Sequence, residues 1–310
     1  MTATHAPALK ISPRLAKNVS RNIKERVIEF ILMLAALSAT FTTFAIVAIL
    51  LYESLGFFKT VSLVEFFTGT EWTPLFEDAH YGIMPLVAGT LTTSAVALLV
   101  AVPIGTIAAI YLSEFASHKV REIVKPILEL LVGVPTVVFG FFALLFVTPL
   151  LQKIYPDLPG FNMLSAGIVM GVMIIPYIAS VAEDAMRAVP MSMREGSYAM
   201  GATRFQTALR VVTPAAISGI VAAYILAVSR AVGETMVVAV AAGQQPNLTF
   251  NPIDSAATIT AYIVQVAMGD LPHGSVGYQS IFAAGLVLFG MTLIFNIIGH
   301  VVRKKYREQY

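Results

Sequence analysis

Residues 211–243 read VVTPAAISGIVAAYILAVSRAVGETMVVAVAAG. About 20 mostly apolar residues suffice to cross a bilayer as a helix, and this run is longer, yet it holds Arg230 and Glu234. A charge at the bilayer centre costs roughly 2.5–3.5 kcal/mol on insertion scales, so such residues pair with one another or face a substrate path. Spaced four apart, the two share one face of a helix and can bond. The stretch therefore predicts a membrane helix that holds an anion-handling group at membrane depth.

The rest of the chain fits that setting. Of its 310 residues, 57% are hydrophobic and only 12% charged, and the mean hydropathy is +0.79. Soluble domains carry roughly 25% charged residues. There is no cysteine, which excludes disulfides, thiolate chemistry and cysteine-held metals. The five histidines (His5, His80, His118, His273 and His300) are scattered, with none at metal-ligand spacing. The apolar segment after residue 27 is too long for a signal-peptide core and is read as a retained first span.

Six segments are long and apolar enough to span: about 28–52, 83–113, 123–151, 161–182, 211–243 and 276–302. The fifth is a candidate for a break, and the internal prolines are tolerable because bundle neighbours re-satisfy the freed backbone groups. Lysine and arginine set the sidedness. Seventeen of the 20 fall in the tail 1–27, the loops 114–126 and 183–210, and the C-terminus, whereas only Lys59 and Lys153 lie on the other side. The expected division is a cytoplasmic basic tail (1–27), a six-helix domain (28–302) and a cytoplasmic tail (303–310). The aromatic residues of the first outer loop, among them Phe66, Phe67, Trp72 and Phe76, are read as an interfacial belt, with a docking rim for an external partner as the alternative.

The loop 183–210 is amphipathic and rich in small residues. Gly201 is placed to end a short helix in left-handed geometry, giving a compact surface knob available to a cytoplasmic partner. Glu195, then Gly201, then nine residues, then Val211-Val-Thr-Pro214 resembles the cytoplasmic signature of bacterial ABC-importer permeases. In that pattern Glu195, Gly201 and Pro214 match in register and Val211 replaces isoleucine, whereas Gly196, Ser197 and Thr213 depart from Ala, Ala and Leu. Further segments (YGIMPLVAGTL at 81–91, VPIG at 102–105, GVPTVVFG at 133–140, SRAVGET at 229–235, TITAYIVQ at 258–265) are similar to permease subunits of the phosphate-specific importer, on its PstC-like side.

The resemblance implies a type I ABC-importer transmembrane domain, all-α, whose knob is a coupling helix. Glu195, Ala199 and Gly201 would then meet an ATP-binding subunit, and Arg230 and Glu234 would line the path of phosphate. It also implies a bacterial inner-membrane assembly: a related permease (PstA-like), two ATP-binding subunits (PstB-like) that hold ATP with Mg, and an external phosphate-binding protein (PstS-like). The chain has no Gly-x-x-x-x-Gly-Lys-Ser/Thr loop to cradle ATP phosphates, so energy would come from another subunit.

On chemical grounds, a guanidinium gives planar, charge-assisted bonds that suit phosphate. A neighbouring carboxylate weakens the trap and accepts from a protonated phosphate, as conduction requires. A structural ion pair remains the alternative, as does a permease for sulfate or molybdate. A secondary transporter would need inverted repeats, and no internal duplication is evident. Ser229 and Thr235 are either path-lining or back-bonded to their own helix. Glu129 and His300 are read as interfacial, and Gly133, Pro135 and Gly140 as packing positions.

Overall fold

The computed structural model describes residues 19–305, with side chains from Glu25 onward; Lys10, Arg14, Lys17 and Arg307, counted above as cytoplasmic charges, lie outside the described residues. The chain divides into two compact units, 1–49 and 50–310. Most of the first is helix α1 (Val19–Phe57), and Arg21, Lys24 and Arg26 of the basic segment belong to its opening turns.

Four described helices are long and apolar enough to cross a bilayer: Glu25–Phe57, Met84–Phe115, Met163–Arg187 and Val276–Lys305, with mean hydropathies of 2.2, 2.4, 2.0 and 2.4. The other two expected spans exist only as bent pairs. His118–Val132 and Thr136–Gln152 meet at 88°, and Arg204–Ala215 meets Ile217–Val232 at 73°. The expected continuous third span, 123–151, is therefore corrected to two segments. Pro135 is the cause: it disfavours helical geometry at Val134, and it sits extended (ψ 129°) at the head of the second segment. The first segment, α4 (His118–Val132), has no buried residue, and its charges share the helix with apolar positions.

The second unit is built around α7 (Met163–Arg187), which packs along α3 (Met84–Ile110). A seam of small residues brings the two together. A Cβ on Gly167 would stand 2.6 Å from Val96, one on Gly171 2.7 Å from the Ala97 carbonyl, and one on Gly105 2.7 Å from Ile178. Close backbone approach of this kind supplies the dispersion that holds helices together in lipid. Beyond the seam lie α5 (Thr136–Phe142), a wide π turn and α6 (Thr148–Gln152), while α11 (Ile217–Val232) packs on α7 and on α14 (Val276–Lys305).

The segment between α1 and α3, with α13 (Ile259–Gln265) and α14, forms a second core. Phe66 and Trp72 are 0% and 1% exposed and pack edge-to-face with Phe57, Tyr81 and Tyr262. The belt expected from the sequence is thus corrected for these two: burial against α13 and the end of α1 takes them out of any interface, and only Phe67 and Phe76 stay exposed. Helix α2 (Leu63–Thr68) and an antiparallel bridge between Trp72 and Tyr81 hold the first outer loop in place.

Candidate translocation site and coupling surface

Arg230 occupies the last turn of α11, where a cation favours the helix dipole. Glu234 falls just beyond, in the break Gly233–Thr235 that separates α11 from α12 (Met236–Ala241). The pair expected on one helix face therefore forms across a helix break. Arg230 Nη2 lies 3.6 Å from Glu234 Oε2, with the side chains 35% and 3% exposed. That separation is beyond an aligned hydrogen bond. The Arg230 Nε is buried with no partner, and the guanidinium carbon stands 5.7 Å from the centre of the Tyr177 ring on α7, within cation–π range. Arg230 thus keeps donors that Glu234 does not saturate.

Glu234 is positioned from both sides. Its Oε1 accepts from the Val237 N–H at 3.4 Å, and its carbonyl accepts from Thr260 Oγ1 at 2.6 Å. The start of α13 is fixed in turn to α3, since Thr90 Oγ1 accepts from the Ile259 N–H at 3.0 Å. From the other flank α5 presses on α12, where a Cβ on Gly140 would stand 2.9 Å from Val240 and 3.1 Å from the Met236 carbonyl. The packing role expected of Gly140 is seen here. Gly133 has no close neighbour outside its own turn and instead ends α4, and Pro135 starts α5.

The other two expected path residues are placed differently. Thr235 Oγ1 donates to the Gly233 carbonyl at 3.3 Å, inside the break. Ser229 lines a cleft between α11 and α14, and its Oγ is buried without a partner. Glu129 is exposed and lines a cleft of about 220 Å³ with Tyr177 and Ser180, next to the ring that Arg230 overlies.

At the opposite pole, α8 (Met191–Ala199) carries Glu195 and Ala199, both exposed. Gly201 follows with φ +83°, and a Cβ added there would meet nothing within 4 Å, so it ends α8 in the left-handed region as its sequence position predicts. Thr203 then caps α9 (Arg204–Thr207) with a capping box to Gln206, which runs on through a π turn into α10 (Thr213–Ala215). Ser197 Oγ and Thr207 Oγ1, 2.9 Å apart, tie the two arms of the knob together. Met191, Met200 and Phe205 stand exposed on it.

Two buried charge clusters escaped the sequence reading. Arg194 grips Glu114 with both arms, at 2.9 and 3.3 Å, and donates to the Met186 and Val189 carbonyls at 2.8 and 2.6 Å. This fastens α8 to the π turn that follows α3 and to the C-terminal end of α7. Glu183 on α7 is surrounded by Arg121 (2.7 Å), Lys125 (3.0 Å) and Arg187 (3.7 Å). The Arg121 contact is close but off the hydrogen-bonding direction, so it acts as a charge contact that clamps α4 onto α7. Asp184, next to Glu183, also takes Lys125 at 2.6 Å.

Comparisons with known proteins agree with this architecture. Residues 101–308 match the model of the family described as binding-protein-dependent transport system inner membrane component. A probable ABC transporter permease protein of Bacillus subtilis, YqgH, is 38% identical over 77% of each chain. Phosphate transport system permease protein PstC 1 of Mycobacterium tuberculosis is 35% identical, over 79% of this chain and 82% of its own. A probable PstC of Methanocaldococcus jannaschii is 31% identical, over 79% and 83%. Among solved structures, the bacterial alginate ABC transporter bound to its periplasmic protein aligns with TM-score 0.63 at 17% identity, over 95% of this chain and all 100% of that one. The methionine transporter MetNI in an inward-facing form aligns at 0.54 and 19%, over 73% and 95%.

Proposed function

The chain belongs to the family of binding-protein-dependent transport system inner membrane components, and from that premise we propose that it is the permease subunit of an ATP-driven inorganic phosphate importer. As a multi-pass membrane subunit of an ABC importer it is not itself the catalyst; ATP with Mg is turned over on partner subunits. The observation that carries the phosphate assignment is the under-satisfied Arg230 beside the buried Glu234 at a helix break, and the phosphate-transport names of several relatives support it.

The chemistry follows from the geometry. Phosphate reaching the break meets the free donors of Arg230, which offer charge-assisted bonds to two oxygens. Glu234, 3.6 Å away, holds back part of the positive potential and accepts from a protonated phosphate oxygen. Binding is then favourable enough to admit the anion and weak enough to release it. Thr235, in the same break, is assigned to the path with them. Glu195, Ala199 and Gly201 form the surface that meets the ATP-binding subunit, with 183–210 as the coupling loop between flanking membrane segments. Both termini are assigned to the cytoplasm on the basic asymmetry. A related permease supplies the other half of the path, and an external binding protein delivers phosphate.

The test is labelled-phosphate uptake into proteoliposomes that hold the whole complex and ATP, with sulfate and molybdate as competitors. Uptake blocked by arsenate or phosphate but not by sulfate or molybdate is expected. Competition led by sulfate or molybdate would replace the substrate assignment.

A further inference from the structure

The cleft between α11 and α14 that Ser229 lines is polar at one end and has no part in the proposed path. One part, about 520 Å³, is walled by Ser218, His300, Arg303 and Lys304. A second, about 400 Å³, shares His300 and Arg303 and extends along Ala222 and Leu226 to Ser229. We infer that this cleft binds a phosphate group, independently of the Arg230–Glu234 pair.

Three observations converge on this inference. Arg303 and Lys304 belong to the last turn of α14, and among the described residues no carboxylate lines either part of the cleft. Arg303 Nη2 lies 3.3 Å from His300 Nδ1, which orients the guanidinium over the opening. At the far end Ser229 Oγ is buried with no partner, and a buried hydroxyl left unsatisfied is costly enough to require an acceptor or donor from elsewhere. The helices touch in the wall of the cleft, where a Cβ on Gly299 would collide with Ile225 at 2.2 Å. That contact fixes the cleft's width without relying on a ligand.

The phosphate could be that of an anionic lipid headgroup or the free ion. The apolar walls at Ala222 and Leu226 favour the lipid: a headgroup phosphate sits among Arg303, Lys304 and Ser218, and the glycerol esters run toward Ser229. A free phosphate has no use for that apolar half.

The test uses the purified full complex in a delipidating detergent, read by native mass spectrometry. It is titrated with dioctanoyl phosphatidylglycerol, dioctanoyl phosphatidylcholine and inorganic phosphate in turn. The expected result is one phosphatidylglycerol bound tightly, with Arg303→Gln combined with Lys304→Gln weakening it roughly thirtyfold, the factor for removing two interfacial cations from a phosphate group. Ala222→Phe fills the apolar half while leaving every charge in place, and it is expected to abolish phosphatidylglycerol binding. Inorganic phosphate bound and weakened by the double substitution, with phosphatidylglycerol unaffected, would keep the phosphate site and assign it to the free ion. Binding of both unchanged in the double variant, or weakened equally by Lys119→Gln on α4, would overturn the inference.

Discussion

Two arginine–glutamate pairs in this molecule differ in how completely they are satisfied. Arg194 and Glu114 are 10% and 5% exposed, joined through both nitrogens, and the arginine also holds two backbone carbonyls. Arg230 and Glu234 meet at 3.6 Å through a single contact, and the arginine is 35% exposed with an unpartnered Nε. The first pair has four of the arginine's five N–H donors engaged. The second has donors in reserve and a break in the backbone to present them. Saturation separates a charge that holds helices together from one poised to bind and release.

The contrast can be broken most severely at the saturated pair. Arg194→Met leaves Glu114 buried without a countercharge, which costs about 3–5 kcal/mol; the expected outcome is a large drop in complex yield and thermal midpoint. Pair saturation would lose its meaning if that variant assembled normally. The packing that holds the open pair comes next. Gly140→Ala drives a methyl to 2.9 Å from Val240, and overpacking of this order costs about 1–3 kcal/mol. It should displace α12 and cut phosphate uptake several-fold while the complex still forms, as uptake and size-exclusion yield compared side by side will show.

A smaller effect is expected at the coupling surface. Gly201→Val forces a β-branched residue to φ +83° at about 1–2 kcal/mol, although the surrounding space is open. The complex is expected to form but to lose stimulation of ATP hydrolysis by the loaded binding protein. Gly201→Asn, which tolerates the left-handed region, should retain it. Equal ATPase loss in both variants would point to chemistry at the site rather than backbone geometry.

The apolar segments were legible, as four long helices and two bent pairs, because hydropathy is summed over whole segments. Direction was not. Hydropathy passes unchanged through Gly133–Pro135, so the 88° bend stayed hidden although Pro135 stood in the sequence, whereas the break expected in the fifth segment is present as the 73° bend at Ala216. Gly201 was readable because a positive φ leaves a local signature. Arg230 and Glu234 were readable as a pair because they are four apart, but the break that places Glu234 at the head of α12 left only a faint trace in the sequence. Arg194 and Glu114 are 80 residues apart, and nothing local to either announces the other. Trp72 and Phe66 were misassigned for the same reason: loop aromatics look interfacial until α13 is known to cover them.

The smallest cost in assembly and the largest in function are expected together at Arg230. For Arg230→Gln the loss of stability should be smaller than for Arg194→Met, because the arginine makes a single 3.6 Å contact and the Val237 N–H still faces the Glu234 carboxylate. Labelled-phosphate uptake measured beside complex yield, for Arg230→Gln, Glu234→Gln and the exchanged pair Arg230→Glu with Glu234→Arg, tests the account directly. Full assembly with uptake abolished in Arg230→Gln, strongly reduced in Glu234→Gln and not restored by the exchange is the predicted result. Poor assembly of the single variants, with both yield and uptake recovered in the exchanged pair, would contradict it and return Arg230 and Glu234 to the role that Arg194 and Glu114 play.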